Sequence, residues 1–146
     1  MSVEENNLKK TNFSWQIDFL ERNVLEDDYL KKAARLFDPI IRAEKVNLAR
    51  LNKPLIIGIN GAQGSGKSTL ADYIKSYMSA EGHSAVSLSL DDFYLTREER
   101  FQLSRDTHPL LATRGVPGTH DIALAMNTLD GLSQNTAKLH LDEIYD

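Results

Sequence analysis

The chain has 146 residues, of which 41% are hydrophobic and 26% are charged, with a formal net charge of −4 and no cysteine. This length suits a single globular domain. The acidic balance argues against broad electrostatic capture of nucleic acid or of an acidic membrane surface, because both require clustered Lys and Arg. The lack of cysteine excludes disulfides and thiol chemistry and fits a reducing compartment. We therefore expect a cytosolic protein that acts on a small molecule.

The segment before residue 53 has the pattern of helices. Apolar residues recur at helical spacing within Trp15–Leu51, after a polar start at 1–12 that is expected to be solvated. Asp38-Pro39 interrupts this pattern with a capping residue followed by proline at the first helical position. The sequence thus predicts two helices, or one kinked helix, in an N-terminal helical segment at 1–52, followed by a second domain at 53–146.

Two apolar runs of strand length flank a third predicted helix. The runs are Leu55–Ile59 and Ala85–Leu90, and the helix extends from Lys67 to about Ala80, where Gly82 stops it. Its apolar residues lie at i, i+4, i+7 and i+8, namely Leu70, Ile74, Tyr77 and Met78. This order predicts a β-loop-α-β unit of an α/β fold with a parallel sheet.

A glycine-rich loop lies between the first run and the helix. It fits the pattern G-x-x-x-x-G-K-[ST] through Gly61, Ala62, Gln63, Gly64, Ser65, Gly66, Lys67, Ser68 and Thr69. Its glycines permit the backbone N–H groups to surround phosphate oxygens, and Lys67 is expected to reach the β and γ oxygens. Ser68 is the expected Mg²⁺ ligand. The loop predicts binding of ATP with Mg²⁺ in a P-loop NTPase-type three-layer fold.

Local signals continue after the second run. Thr96 and Glu99 form a capping box, which predicts a helix from Arg97 to about Arg105 with a solvated arginine face. A loop rich in Gly and Pro then spans 107–119. Asp121 is expected to cap a last helix that ends at Gly131. The apolar residues that this helix is expected to bury are Ile122, Met126 and Leu129. A short strand is predicted at Leu139–Ile144.

Two adjacent carboxylates follow the second run. Because the loops after parallel strands meet at one edge of a sheet, Asp91 and Asp92 are expected to face the phosphate loop. Phosphoryl transfer needs a carboxylate for the acceptor hydroxyl and another near Mg²⁺, and this pair can provide one or both. We predict Lys67 as a catalytic residue, Ser68 as a metal ligand, and the pair Asp91 and Asp92 as the source of the catalytic carboxylate and of a further metal ligand. The competing interpretation is that both aspartates are ordinary loop residues.

Three ordered blocks together resemble the plant-type D-glycerate 3-kinase family. They are Ile57–Thr69, Ser89–Thr96 and Arg114–Asp121, and the general likeness covers about residues 13–133. That family is similar to P-loop kinases such as uridine kinase, phosphoribulokinase and pantothenate kinase. The resemblance implies an ATP-dependent kinase in which Asp91 accepts the proton of the acceptor hydroxyl. It also implies acceptor contacts, and our candidates are Asp92, Tyr94, Arg114, His120 and Asp121.

Individual roles within this set differ in their support. Tyr94 matches an aromatic residue of the acceptor pocket, and His120 and Asp121 match a substrate-side loop. We infer that Arg114 pairs with the glycerate carboxylate, because a guanidinium can form a two-pronged contact. The alternatives are a core role for Tyr94 and a capping role for His120. For Arg97, Arg100 and Arg105 we expect a solvated helix face rather than a phosphate clamp.

The resemblance fades after about Ser133. Kinases of this family continue with further strands, a second acidic strand end and lid arginines, none of which is identified in this sequence. We therefore expect the N-terminal portion of a kinase with an incomplete sheet and a complementing C-terminal fragment or an oligomer as partner. The alternative is a nucleotide-binding module without turnover. An ATPase or GTPase switch has no support, because the sequence has no guanine-reading motif.

Overall fold

The computed structural model of the chain describes residues 14–51 and 53–134. The chain divides into two compact units, Met1–Ser87 and Leu88–Asp146. The first unit contains helix α1 at 14–23 and the second contains two single-turn 3-10 helices. The other helices are α2 (Asp28–Leu36), α3 (Asp38–Arg50), α4 (Lys67–Ala80), α5 (Arg97–Asp106) and α6 (Ile122–Ser133). No described helix is long and apolar enough to cross a membrane. The solvated start at 1–12 and the strand at Leu139–Ile144 were predicted outside the described residues.

Three helices, rather than two, lie within residues 14–51. The backbone of Val24 turns left-handed with φ 52°, and the amide of Leu25 donates to the carbonyl of Leu20 at 3.0 Å, which ends α1. The second break lies at the predicted Asp38-Pro39 position. However, Phe37 is the residue in the cap position, and Asp38 already belongs to α3. A polar residue before proline therefore marked the break correctly but did not identify the capping residue.

The core of the first unit is centred on Tyr73 of α4. Its ring packs edge-on against Phe19 at 5.3 Å and against Trp15 at 5.5 Å between ring centroids. The buried side chains of this core are Phe19, Leu20, Ala33, Ile41 and Tyr73. Ile74, Tyr77 and Met78 pack around it, as their helical spacing predicts. The Tyr73 hydroxyl donates to the Asp38 carboxylate at 2.8 Å, so a buried polar group is satisfied between α3 and α4.

The predicted strands are not formed within the described residues. Leu55–Ile59 and most of Ala85–Leu90 have no regular secondary structure, and the 3-10 helix Leu90–Phe93 begins where the second strand was expected to end. A strand exists only when a neighbouring strand completes its hydrogen bonds, and apolar composition does not supply that neighbour. Ile56 is 68% exposed and Val86 is 45% exposed. The parallel sheet of the predicted fold is therefore not observed in the described part of the chain.

The second unit confirms the local signals. Helix α5 begins after the predicted capping box: the amide of Glu99 donates to Thr96 Oγ1 at 3.2 Å, and the amide of Thr96 donates to Glu99 Oε2 at 2.8 Å. A second 3-10 helix, Pro109–Ala112, lies within the predicted loop. Asp121 caps α6 by accepting from the amide of Leu124 at 2.9 Å. These features depend on residues close in sequence, which is why the sequence predicts them.

The predicted buried face of α6 is wrong. Ile122 is 63% exposed, Met126 is 59% exposed and Leu129 is 40% exposed, whereas Thr128 is buried. Helix α6 also continues past Gly131 to Ser133. Helical spacing indicates which side chains share a face, but burial needs another element to cover that face.

Candidate active site

Two glycines of the phosphate loop at 61–69 have distinct structural roles. Gly66 adopts φ 83° and is the N-cap residue of α4, a left-handed conformation that is costly for residues with a Cβ. At Gly61, an added Cβ would lie 2.8 Å from Ser65 Oγ, which is too close without movement of that side chain. The loop conformation therefore favours glycine at Gly66 through its backbone angle, whereas a side chain at Gly61 would require the Ser65 side chain to move.

The N-terminus of α4 is open to an anion. The amide of Leu70 donates to the carbonyl of Gly66 at 2.9 Å, and no side chain among the described residues caps the helix. The amides of Lys67, Ser68 and Thr69 therefore precede the first of these helical bonds. Such amides and the positive end of the helix dipole favour phosphate oxygens. The donor set of the loop fits a triphosphate.

Lys67 lies across its own loop. Its Nζ donates to the carbonyl of Gly61 at 2.9 Å and to that of Ala62 at 2.8 Å. The ammonium that the motif assigns to phosphate contact is thus held by two carbonyls of the loop itself. An ammonium has three donors and turns readily, so these carbonyls can be exchanged for phosphate oxygens.

The two adjacent aspartates of the second unit have different surroundings. Asp92 Oδ2 accepts from the amide of Ser89 at 2.9 Å and completes a capping box at the 3-10 helix. Asp91 is exposed, and its carboxylate has no hydrogen bond or ion pair to any of the described residues. Asp91 can therefore accept a proton or bind a cation, whereas Asp92 is engaged in capping. Sequence reasoning missed the cap, although Ser89 and Asp92 have the spacing of a capping box.

Three of the predicted acceptor residues lie together in the second unit. The rings of Tyr94 and His120 stack with centroids 4.0 Å apart and planes 27° apart. The Arg114 guanidinium carbon lies 5.3 Å from the centroid of the Tyr94 ring, within cation–π range. We call Tyr94, Arg114 and His120 the Tyr94 cluster. It presents a cation, a phenol and an imidazole, which are groups that bind a small polar anion.

Backbone bonds hold the segments that carry this cluster. Tyr94 and His120 form an isolated antiparallel bridge. The amide of Leu95 donates to the carbonyl of Thr119 at 2.9 Å, and the amide of Asp121 donates to that of Phe93 at 2.7 Å. Phe93 and Thr119 are both buried. The Asp121 carboxylate, predicted as an acceptor contact, is engaged in capping α6.

Arg100 is a residue whose position the sequence did not predict. It was expected on a solvated face of α5, but its side chain is buried with 8% exposed. Its guanidinium donates to the backbone carbonyls of Leu95 and Ala112. Helical spacing offered a signal, because Arg100 shares a face with Leu103, which is also partly covered.

Within the described residues, no group of three or more His, Asp or Glu side chains could hold a metal ion. Ser68 and Asp91, the predicted ligands of Mg²⁺, belong to different units. In nucleotide sites Mg²⁺ is commonly held by one or two protein oxygens together with phosphate oxygens and water. The donor types of Ser68 and Asp91 are of this kind, and their role as ligands stays a prediction.

Comparisons with known proteins support the interpretation of residues 61–69 as the phosphate loop of a kinase-like protein. A sequence model of the Zeta toxin family matches residues 38–99. An uncharacterized kinase of Schizosaccharomyces pombe is 45% identical over 80 residues, which are 53% of this chain and 29% of that protein. The chloroplastic D-glycerate 3-kinase of Arabidopsis thaliana is 38% identical over 85 residues, which are 57% of this chain and 19% of that protein. The chain is similar to P-loop kinases.

A third similar protein is also named a kinase. A probable ATP-dependent kinase of Saccharomyces cerevisiae is 38% identical over 87 residues, which are 56% of this chain and 30% of that protein. In each of these three matches, this chain covers less than a third of the relative's length. No solved structure matches the chain significantly.

Proposed function

We propose that this chain is part of an ATP-dependent kinase that transfers the γ-phosphate to a hydroxyl group of a small molecule. The observation that carries this proposal is the phosphate loop, in which Gly66 opens α4 and Lys67 bonds across the loop carbonyls. Its similarity to proteins named as kinases supports the same reaction. Residues 53–146 would hold this domain, and its P-loop fold stays part of the proposal.

The loop residues 61–69 would hold ATP in this proposal, and Ser68 and Asp91 would contribute ligands to Mg²⁺. When bound, Mg²⁺ supplies positive charge that counters the charge on the transferring phosphoryl group. The acceptor oxygen forms a bond to the γ-phosphorus while the bond from that phosphorus to the β–γ bridging oxygen breaks, so ADP leaves. Asp91 takes the proton of the acceptor hydroxyl. The exposed, unpaired state of its carboxylate among the described residues supports this role.

D-Glycerate is the acceptor that we favour. One relative is named a D-glycerate 3-kinase. The Tyr94 cluster supports an acceptor that carries a carboxylate, because Arg114 could pair with that group in a two-pronged contact while His120 bonds to a hydroxyl. Asp92 and Asp121 would contact the acceptor through their other carboxylate oxygens, since each uses one oxygen in capping.

A coupled assay of ADP release tests this proposal. The purified chain is supplied with Mg²⁺ and ATP, and glycerate, uridine, pantothenate and ribulose 5-phosphate are compared as acceptors. We expect ADP release that depends on the acceptor and is fastest with glycerate. A folded sample that binds ATP but releases no ADP with any acceptor would contradict the kinase proposal. Release with another acceptor alone would contradict only the choice of glycerate.

A second candidate is a nucleotide-binding module without turnover. The exposure of apolar side chains in the predicted strands favours it, since parallel sheets are normally covered on both faces. We propose that a complementing C-terminal kinase fragment, or a second copy of the chain, supplies the missing strand partners. Assays with and without an added C-terminal fragment of a related kinase distinguish the two candidates. A chain that is itself a kinase releases ADP without the fragment, whereas a binding module releases ADP only when the fragment is added. A cytosolic location is part of the same proposal and is consistent with the lack of cysteine.

A further inference from the structure

Arg100 is a buried cation whose described bonds go to backbone carbonyls. Its side chain lies on α5, and the residue is 8% exposed. Nε donates to the carbonyl of Ala112 at 3.4 Å, and a terminal nitrogen donates to the carbonyl of Leu95. In the described part of the chain, no carboxylate forms an ion pair with it. Burial of a guanidinium is costly unless its donors are satisfied, so these bonds hold it in a defined place.

The two carbonyls belong to the segments that present the Tyr94 cluster. Leu95 directly follows Tyr94, and Ala112 precedes Arg114 by two residues. The amide of Leu95 also donates to the carbonyl of Thr119, the residue before His120. Arg100 therefore connects the backbone on one side of the Tyr94 ring to the turn that carries Arg114.

We propose that Arg100 is a positioning residue for the acceptor site, a role that rests on the proposed kinase function. It fixes the distance between the Tyr94 segment and the Arg114 turn, and so keeps the Arg114 guanidinium over the Tyr94 ring and the Tyr94 ring against His120. The planar guanidinium directs two donors to two carbonyls at a fixed angle, which a flexible ammonium does not reproduce. In this role the Arg100 guanidinium bonds to backbone carbonyls and does not contact the acceptor.

The test uses Arg100→Lys, with Arg97→Lys as matched control on the same helix. Arg97 is exposed and lies over the ring of Phe101. The first measurement is the position of the His120 ring resonances in ¹H–¹³C NMR, assigned with His120→Asn, in samples that are fully folded by urea titration. Tyr94 stacks on His120 at 4.0 Å, so its ring current displaces these resonances. We expect Arg100→Lys to move them toward unfolded values and Arg97→Lys to leave them in place.

The second measurement separates binding of the acceptor from binding of ATP. In the ADP-release assay, Arg100→Lys should raise KM for glycerate about tenfold, which is the effect of losing one well-placed hydrogen bond. It should leave KM for ATP unchanged, and Arg97→Lys should change neither constant. A loss of stability with unchanged His120 resonances and unchanged KM for glycerate would reduce Arg100 to a structural residue and overturn the proposal.

Failure of the Arg100 proposal can be distinguished from failure of the proposed kinase function. If the wild-type chain has no kinase activity, the proposed function fails, and the His120 resonances still decide whether Arg100 sets the geometry of the cluster. If Arg100→Lys does not fold, Arg100→Gln replaces it, since its amide keeps donors for one carbonyl. Hydrogen exchange of the Arg100 Nε–H in the wild-type chain gives a further test. Fast exchange would show that the bond to Ala112 is absent and would overturn the proposal.

Discussion

The phosphate loop and the Tyr94 cluster obtain their chemistry in different ways. In the loop, the backbone supplies most of the donors, and glycine conformations set its shape. In the cluster, side chains supply the chemistry, and bonds between segments distant in sequence set their positions. The comparison explains why a short sequence pattern identifies the loop, whereas the cluster needed a structure to bring its members together.

The largest expected effect tests the side-chain chemistry of the second unit. Asp91→Asn removes the proposed proton acceptor with little change in size, and general base catalysis contributes roughly 100- to 10,000-fold to a rate. We expect kcat in the ADP-release assay to fall within that range while the affinity for ATP in the absence of Mg²⁺ is kept. The matched control is Asp130→Asn, an exposed aspartate on α6. Equal activity of Asp91→Asn and the wild-type chain would remove Asp91 from the mechanism.

The next largest effect concerns the side chain on which the loop depends. Lys67→Ala removes the ammonium that bonds to Gly61 and Ala62. Charge-assisted hydrogen bonds contribute about 1.5–3 kcal/mol, so the Kd for ATP with Mg²⁺ should rise roughly 10- to 100-fold by calorimetry. Lys75→Ala, on the exposed side of the same helix, should bind ATP like the wild-type chain. The phosphate-loop assignment fails if both variants bind equally well.

A pair of glycine variants tests whether the backbone sets the loop. Gly66 and Gly82 both have φ 83°, and they lie at opposite ends of α4. Alanine in this conformation costs roughly 1–2 kcal/mol, so Gly66→Ala and Gly82→Ala should lower the free energy of unfolding by similar amounts in urea titrations. Only Gly66→Ala should also weaken ATP binding. A loss of affinity in both variants would mean that the effect reflects stability and not the loop.

The smallest effect concerns Tyr73 on α4, the helix that begins in the loop. Burial and the neighbouring Asp38 carboxylate raise the pKa of Tyr73 above its ordinary value. Above pH 10 the unfolded chain loses this proton while the folded chain keeps it, so the free energy of unfolding should fall by up to about 1.4 kcal/mol per pH unit. The fall should stop only above the raised pKa of the folded chain.

Tyr73→Phe separates the contribution of Tyr73 to this pH dependence from the contributions of other titrating groups. At pH 7 it should lower the free energy of unfolding by about 1 kcal/mol, because the hydrogen bond to Asp38 is lost. Above pH 10 the variant should depend less steeply on pH than the wild-type chain. Parallel curves for the two proteins in urea titrations between pH 7 and 11.5 would show that Tyr73 does not account for the loss. ATP binding by the folded variant should be unchanged, since the hydroxyl bonds to α3.

The sequence predicted those features whose causes are local. The capping box of Thr96 and Glu99, the cap at Asp121 and the helix after the phosphate loop follow from residues within one or two turns. The predicted strands were wrong for the described residues, since strand formation depends on a partner that no local pattern specifies. Exposed Ile56 and Val86 illustrate this limit.

The candidate site shows the same division. The loop residues were predicted from their spacing. Tyr94 and His120 were predicted as acceptor contacts from a family resemblance, and Arg114 from the chemistry of its guanidinium, but that the three lie together was not predicted. The burial of Arg100 was missed because it depends on segments that pack over α5. The different surroundings of Asp91 and Asp92 were missed because the apolar run before them was interpreted as a strand and not as the start of a capped turn.

The position of Lys67 has a consequence for how ligand affinity is interpreted. Because its ammonium already joins two carbonyls of the loop, the loop is preorganised, and less conformational entropy is lost when a ligand arrives. The same ammonium must leave neutral acceptors before it reaches anionic ones. The measured affinity therefore reports the exchange of carbonyl partners for phosphate oxygens around Lys67. Salt should weaken the bonds of the ammonium to phosphate oxygens, and should affect its bonds to the neutral carbonyls little.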